Sequence, residues 1–305
     1  MKVLRRILLG LVALVVVVYL SALGVLYFDQ RNLMYDPGTQ VVALAGTKLT
    51  GAQSVAIPTT DHAVVDGWYE PPRQGKPVIL YYKGNADSFS KEHERFEAFV
   101  KDGYGFLSFD YRGFPASPGT ITQQHILDDA VSAYDWLKPK GFPIVIWGRS
   151  LGSGPATYVA SKRAPEALLL ETPFLSAVSV ALDRYPYMPV NWLMLDQFPV
   201  DRWIKSVKAP VYVAHGTADR TIPVHDARDL YDLVPNKYGL WIVPGADHGD
   251  LWKDGIWAKA KTFFTDTGNG IGEPGAAPVA VTPEPPQPTP ARTPPLAKSV
   301  PASGV

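Results

Sequence analysis

Short, nearly unbroken apolar runs punctuate this chain at residues 77–82, 106–109, 144–147, 167–170, 210–214 and 240–243. Runs of this length, bounded by Gly, Pro or polar residues, fit strands buried on both faces of a parallel sheet. Between them lie segments with helical spacing, at residues 88–101, 123–137, 153–162, 224–233 and 251–264. In 123–137 the apolar stripe is Ile126, Ala130, Ala133, Tyr134 and Leu137. Residues 46–58 and 63–69 read as a hairpin of short strands around Asp61-His62. Strand and helix alternate with short connections, which predicts an α/β fold with a mainly parallel, doubly wound sheet. One stretch breaks the rhythm. About 40 residues, roughly 171–209, separate two of the strands and carry Phe174, Tyr185, Tyr187, Trp192, Phe198 and Trp203. A simple crossover needs fewer, so this insertion is expected to form a small helical cap over the C-terminal edge of the sheet and to line an apolar pocket there.

The two ends differ from this pattern and from each other. Lys2, Arg5 and Arg6 precede residues 7–28, which are 22 residues without a charge. At ~1.5 Å per residue that run can cross a hydrocarbon layer of ~30 Å. The basic flank places the N-terminus in the cytoplasm and the bulk of the chain across the membrane. The rival is a cleaved signal peptide with Ala22-Leu23-Gly24 as its processing site, giving a secreted protein. The anchor is preferred because the apolar run continues through Tyr27 and Phe28, aromatics suited to the membrane–water boundary. From residue 267 to 305 there are ten prolines and hardly a large apolar side chain. Such a segment cannot bury enough surface to offset chain entropy, and a disordered, partly polyproline-II tail is expected. The division is then an anchor and short linker at 1–31, a catalytic domain at 32–266, and a tail at 267–305.

Composition narrows the chemistry. The chain carries 29 basic and 29 acidic residues, so no electrostatic case exists for a nucleic-acid partner. It has no cysteine, which removes disulfides, thiolate metal sites and a cysteine nucleophile. The candidate nucleophile is Ser150, in Gly148-Arg149-Ser150-Leu151-Gly152. This G-x-S-x-G lies between an apolar run and a helix-compatible stretch, the strand–turn–helix setting of a nucleophile elbow. A serine needs a base, and the base an orienting acid. His215-Gly216-Thr217-Ala218-Asp219 follows one later strand and Pro244-Gly245-Ala246-Asp247-His248 another, so Asp219 and His248 arrive in the expected order at strand ends. His62, His93 and His125 precede the elbow, and His215 and His225 follow the wrong strand for a base. They are expected to be structural or solvent-facing, with Asp247 a local electrostatic modifier. No spacing of metal ligands accompanies these residues, and no metal or organic cofactor is expected. The oxyanion hole should use the backbone N–H of Leu151 and that of Asn85, in the loop Lys83-Gly84-Asn85-Ala86-Asp87 after the 77–82 strand.

The segments Gly84-Asn85-Ala86, Asp110-Tyr111-Arg112-Gly113, Gly148-Arg149-Ser150-Leu151-Gly152, His215-Gly216-Thr217-Ala218-Asp219 and Pro244-Gly245-Ala246-Asp247-His248 resemble the α/β-hydrolase superfamily. More narrowly, they resemble membrane-anchored serine hydrolases whose members include protein depalmitoylases. The resemblance covers about residues 32–264. It implies the α/β-hydrolase fold, with Ser150 as nucleophile, His248 as general base and acid, and Asp219 as orienting carboxylate. Two residues depart from the pattern: Lys83 stands where His is usual, and Asp87 where a small residue is common. Depalmitoylation itself is not implied, because the basic N-terminus argues for a domain on the far side of the membrane from cytosolic lipidated proteins.

The expected activity is cleavage of carboxylic esters or thioesters through an acyl-enzyme, on a small or lipid-like acyl substrate. A peptidase or amidase on the same fold is the nearest rival within enzymes. A catalytically silent membrane-anchored binding protein is the rival from another class. The sequence carries no signal for oligomeric state.

Overall fold

The structure, a computed structural model, describes residues 1–268. Eight strands form one sheet in the order β1-β2-β4-β3-β5-β6-β7-β8. The strands are β1 (Gln53–Pro58), β2 (Val64–Glu70), β3 (Val78–Tyr82), β4 (Gly105–Phe109), β5 (Ile144–Arg149), β6 (Ala167–Glu171), β7 (Val211–Gly216) and β8 (Lys237–Val243). The hairpin β1–β2 is antiparallel, with Ile57 opposite Val65 and His62 at φ 67° in its turn. β2 runs antiparallel to β4, and every pairing from β4 to β8 is parallel.

The continuous apolar runs follow from this topology. Every residue of β3, β4, β6 and β7 is buried, because helices cover both faces. Successive side chains point to opposite faces. Leu80, Ile146, Leu168 and Val213 pack on one side with helices α3 (Gln123–Leu137), α4 (Ser153–Lys162) and α8 (Val224–Asp232). Ile79, Val145, Trp147 and Leu169 pack on the other with α2 (His93–Lys101) and α9 (Ile256–Gly268). The insertion supplies α5 (Ala177–Arg184), α6 (Val190–Leu193) and α7 (Val200–Trp203). α5 opens with a reciprocal capping box between Ser176 and Ser179.

Several element ends differ from the periodicity. Residues 89–92 make a 3-10 turn ahead of α2, because the Ser88 hydroxyl accepts from Ser90 N–H at 3.3 Å. α9 begins at Ile256 and not at residue 251. Residues 251–255 are turns that end at Gly255 with φ 96°, and Leu251 is fully buried ahead of the helix. At its other end α9 takes in Thr267 and Gly268. The reading of residues 269–305 as a disordered tail lies outside the described residues.

The N-terminal helix α1 (Lys2–Met34) is longer than its uncharged run. The helix continues past residue 31, and Gln30 and Arg31 in its final turns lie against the insertion. Arg31 pairs with the buried Asp196 at 2.9 Å, and Tyr35 Oη donates to the same carboxylate at 3.0 Å. Further down, Tyr19 Oη donates to the carbonyl of Tyr187 at 2.9 Å. Among the described residues α1 is the one helix long and apolar enough to cross a bilayer.

Candidate active site

The strand β5 ends in a turn so tight that two of its residues must lack a side chain. A Cβ on Gly148 would stand 2.4 Å from Ala156 Cβ, and one on Gly152 would stand 2.0 Å from the carbonyl oxygen of Tyr82. Between them Ser150 takes φ 50°, a left-handed conformation that costs a non-glycine residue about 1 kcal/mol or more. The strain turns the hydroxyl out over the end of the sheet. Ser153 Oγ donates to the Ser150 carbonyl at 2.7 Å and locks the start of α4 behind it.

His248 and Asp219 arrive from the loops after β8 and β7. The Ser150 hydroxyl lies 2.9 Å from His248 Nε2, and His248 Nδ1 lies 2.7 Å from Asp219 Oδ2. With Nδ1–H donating to the carboxylate, Nε2 is left as an acceptor aimed at the hydroxyl. Asp219 Oδ1 accepts from the N–H groups of Thr221 (2.8 Å) and Ile222 (2.9 Å). Burial opposes its ionisation, but hydrogen bonds from His215, His248 and the Ile222 amide outweigh it and hold the carboxyl well below the usual carboxylate range.

His215 lies closer to this group than its expected role as a structural or solvent-facing residue suggested. It is fully buried, with Nε2 3.1 Å from Asp219 Oδ2 and 2.9 Å from the Ile222 carbonyl. Asp247 braces the two loops. It accepts from His248 N–H at 2.8 Å and from the Arg220 backbone at 3.1 Å, and it pairs with the Arg220 guanidinium. His93 sits beside Glu97, His125 beside the Thr120 carbonyl, and His225 beside Asp183 and Asp226, all apart from Ser150.

Asn85 and Leu151 line the same cavity as Ser150. The Asn85 side chain is occupied elsewhere. Its Nδ2 donates to the Met34 carbonyl at 2.8 Å and its Oδ1 accepts from Asp36 N–H at 3.3 Å, fastening the loop to the end of α1. Lys83 turns away beneath that loop. It is buried, its Nζ lies 3.7 Å from the Phe114 ring centroid, and it donates to the Gly84 carbonyl at 2.9 Å. Burial pushes its pKa down to about 8, against the opposing pull of Asp110. The Asp110-Tyr111-Arg112-Gly113 motif is a brace. Asp110 accepts from the N–H groups of Phe89 and Ala116, Tyr111 Oη donates to the Lys83 carbonyl, and Arg112 grips Asp129. Arg149, inside the elbow, faces a buried set of charges in which Glu171 binds Arg95 at 2.8 Å and Trp147 Nε1 at 2.9 Å.

Ser150 opens into a cavity of about 390 Å³ that is mostly apolar. Phe174, Val180, Tyr185 and Met188 of the insertion line one wall. Leu26, Tyr27, Leu33 and Met34 of α1 line the other. The contribution of α1 is invisible in its own sequence, because a uniformly apolar run shows no preferred face.

A scan against protein-family models finds no match. The chain is 35% identical over 245 residues to the uncharacterized protein Rv2307c of Mycobacterium tuberculosis, covering 77% of this chain and 87% of that one. It is 33% identical over 190 residues to the lysophosphatidylserine lipase ABHD12 of Rattus norvegicus, covering 55% of this chain and 48% of the lipase. The esterase Pf2001 of Pyrococcus furiosus superposes with a TM-score of 0.61 at 21% identity, over 77% of this chain and 98% of that one. The chain belongs to the α/β-hydrolase superfamily. It is a serine hydrolase of the esterase–lipase type. The hydrolase spans about half the length of ABHD12. Its eight-stranded, mostly parallel sheet with flanking helices fits the α/β-hydrolase fold.

Proposed function

We propose that the hydrolase is anchored by α1 and cleaves the acyl ester bond of a lipid-like substrate through Ser150, His248 and Asp219. The observation that carries this reading is the pair of contacts on one imidazole, Ser150 Oγ at 2.9 Å and Asp219 Oδ2 at 2.7 Å. As Ser150 Oγ attacks the ester carbonyl, its proton passes to His248 Nε2. Asp219 keeps the imidazole in the required tautomer and stabilises the imidazolium. The N–H groups of Leu151 and Asn85 receive the oxyanion of the tetrahedral intermediate. Losing one such donor typically costs ~3 kcal/mol of transition-state stabilisation. Collapse of the intermediate breaks the ester C–O bond, and His248 returns the proton to the leaving alcohol. Water, deprotonated by the same nitrogen, then releases the acid and restores Ser150.

The apolar cavity supports an acyl chain as the part of the substrate held beside Ser150. The lysophosphatidylserine lipase activity named for ABHD12 supports a single-chain lipid, with the polar headgroup outside the cavity. Lys2, Arg5 and Arg6 support a cytoplasmic N-terminus with the catalytic domain across the membrane.

A fluorophosphonate probe tests the centre of this reading. It should label the purified protein and fail on Ser150→Ala. Equal labelling of both proteins overturns it. Esters and thioesters of stepped chain length, run beside aminoacyl anilides, then report the bond cleaved. Turnover should rise with acyl length, and the anilides should stay intact.

A further inference from the structure

Two uncharged segments lie side by side in this molecule. One is residues 7–28 of α1, bounded by Arg6 and Asp29. The other is residues 185–195 of the insertion, bounded by Arg184 and Asp196. They are aligned by polar contacts. At the top, Arg31 pairs with Asp196, Leu195 N–H donates to Gln30 Oε1 at 2.7 Å, and Gln30 Nε2 donates to the Leu193 carbonyl at 3.2 Å. At the bottom, Tyr19 Oη holds the Tyr187 carbonyl. Tyr19 is nine residues below Phe28, a drop of about 13 Å along the helix. The insertion therefore descends beside the last turns of the uncharged run. If that run is in the hydrocarbon, the tip of the insertion is there too.

The side chains and backbone of the tip suit that place. Tyr187 is 87% exposed, Trp192 90% and Leu195 51%, and Phe28 of α1 is 87% exposed. In water these would be large apolar surfaces left uncovered. Irregular backbone in lipid must have its polar groups satisfied. Here Pro186 and Pro189 have no N–H. Tyr185, Met188, Val190, Trp192 and Met194 donate to carbonyls within the insertion. The Tyr187 and Leu193 carbonyls are taken by Tyr19 and Gln30 of α1. The cavity also reaches this level, since its lining runs from Ser150 to Leu26, inside the uncharged run.

We infer that residues 185–195 are a second membrane-embedded element, inserted into the leaflet on the side of the catalytic domain. Together with α1 they form a lateral mouth through which an acyl chain passes from the bilayer to Ser150. The charge change at Arg31–Asp196 marks the level where both segments leave the lipid. This inference rests on the proposed anchor, and the test separates the two.

The chain has no cysteine, so single cysteines can carry a fluorophore without other changes. The full chain in phosphatidylcholine vesicles would be labelled at Trp192→Cys, at Val16→Cys in the middle of the anchor, and at Lys208→Cys on the exposed surface. Nitroxide lipids should quench the labels at 16 and 192, iodide should not, and the label at 208 should behave oppositely. A label at 192 open to iodide while that at 16 is protected overturns the embedded tip and leaves the anchor standing. A label at 16 open to iodide overturns the anchor, and this inference with it. A label at 192 shielded from both quenchers points to a protein cover, such as a second copy, and also overturns the inference. In activity, Trp192→Asp should lower turnover of a long-chain monoacyl ester presented in vesicles by about tenfold, while a soluble short-chain p-nitrophenyl ester is cleaved as before. Equal loss on both substrates overturns the lateral route.

Discussion

His215 Nε2 lies 3.1 Å from Asp219 Oδ2, the same carboxylate oxygen that faces His248 Nδ1 at 2.7 Å. One buried imidazole thus supports the acid that orients another. His215 touches neither Ser150 nor the cavity, so it acts as a positioning residue. His215→Ala should lower kcat by about tenfold with little change in KM, since the lost interaction orients the reacting groups and does not hold substrate. Stability should fall by about 1–3 kcal/mol, the usual cost of an unsatisfied buried partner. His215→Gln, which keeps a donor, should recover part of kcat. Full kcat in the alanine variant would remove the positioning role.

Asp219→Asn keeps the shape and loses the charge. The amide can present its N–H to His248 Nδ1 and force the wrong tautomer, an exchange that costs about 10⁴ in kcat in enzymes with this arrangement. The same change has a signature in stability. The folded-state pKa of Asp219 lies below its unfolded value. Its contribution is therefore full above the ordinary carboxylate range and is lost as pH falls through the folded value. The gap in stability between the parent and Asp219→Asn should narrow on acidification from pH 6 to pH 3, followed by denaturant unfolding at each pH.

Much of the fold is legible in the chain because it is local. The runs at 144–147 and 167–170 are apolar throughout, as β5 and β6 between two helix layers must be, and the elbow's glycines flank Ser150 where Tyr82 and Ala156 leave no room for a Cβ. The order Ser150, Asp219, His248 is readable because each follows a strand in a parallel sheet, and parallel strands bring their C-terminal ends to one edge. Less legible are contacts whose partners are far apart and carry no periodic signal. Arg31 and Asp196 are 165 positions apart, and nothing in a uniformly apolar α1 shows that its last turns wall the cavity. His215 follows the wrong strand for a base, yet from the end of β7, four residues before the acid, it can reach the Asp219 carboxylate.

Ser150 at φ 50° predicts a trade between stability and function. Ser150→Gly removes the penalty of a side chain in the left-handed region, and Ser150→Ala retains it. Both variants lose the proposed nucleophile. The glycine variant should exceed the alanine variant in stability by about 0.5–1 kcal/mol, even though glycine has more freedom to lose on folding. Gly152→Ala should do the reverse. With Tyr82 O 2.0 Å from the added Cβ, it should cost several kcal/mol or prevent folding, like other large steric conflicts in a packed core. Chemical denaturation of the set ranks them.

Arg31 ties α1 to the insertion, so its loss should separate the proposed anchoring from the proposed substrate capture. In Arg31→Ala the buried carboxylate of Asp196 loses the guanidinium and keeps the Tyr35 hydroxyl as a donor. Removing one partner of a fully buried pair costs 3–5 kcal/mol, but Arg31 is 39% exposed and solvent screens it, so about 1–2 kcal/mol is expected. The proposed anchor sequence is untouched, so vesicle binding should persist. Protease sensitivity should rise within residues 185–195, and long-chain ester hydrolysis should fall more than short-chain hydrolysis. Arg31→Lys, which restores charge without the paired N–H groups, should recover part of both.

Lys83 gives a pH dependence of the same sign as Asp219, at higher pH and from a cost instead of a stabilising contribution. Its pKa falls to about 8 on folding because burial disfavours the ammonium. Below pH 8 the folded chain must hold a charged lysine against the Phe114 ring, and the full cost is present. As pH rises from about 8 to about 10.5 the unfolded chain binds the extra proton, so this cost is progressively relieved. Lys83→Met fills similar volume without a charge. At pH 7 it should be more stable than the parent by about 1–3 kcal/mol, and the advantage should shrink as pH approaches 10. The loop it supports bears Asn85, whose N–H is the proposed second oxyanion donor. If Lys83 only props that loop, Lys83→Met should leave the pH dependence of kcat unchanged. A kcat that loses a rise or fall near pH 8 in the variant would instead show that the ammonium is felt at the reacting oxygen.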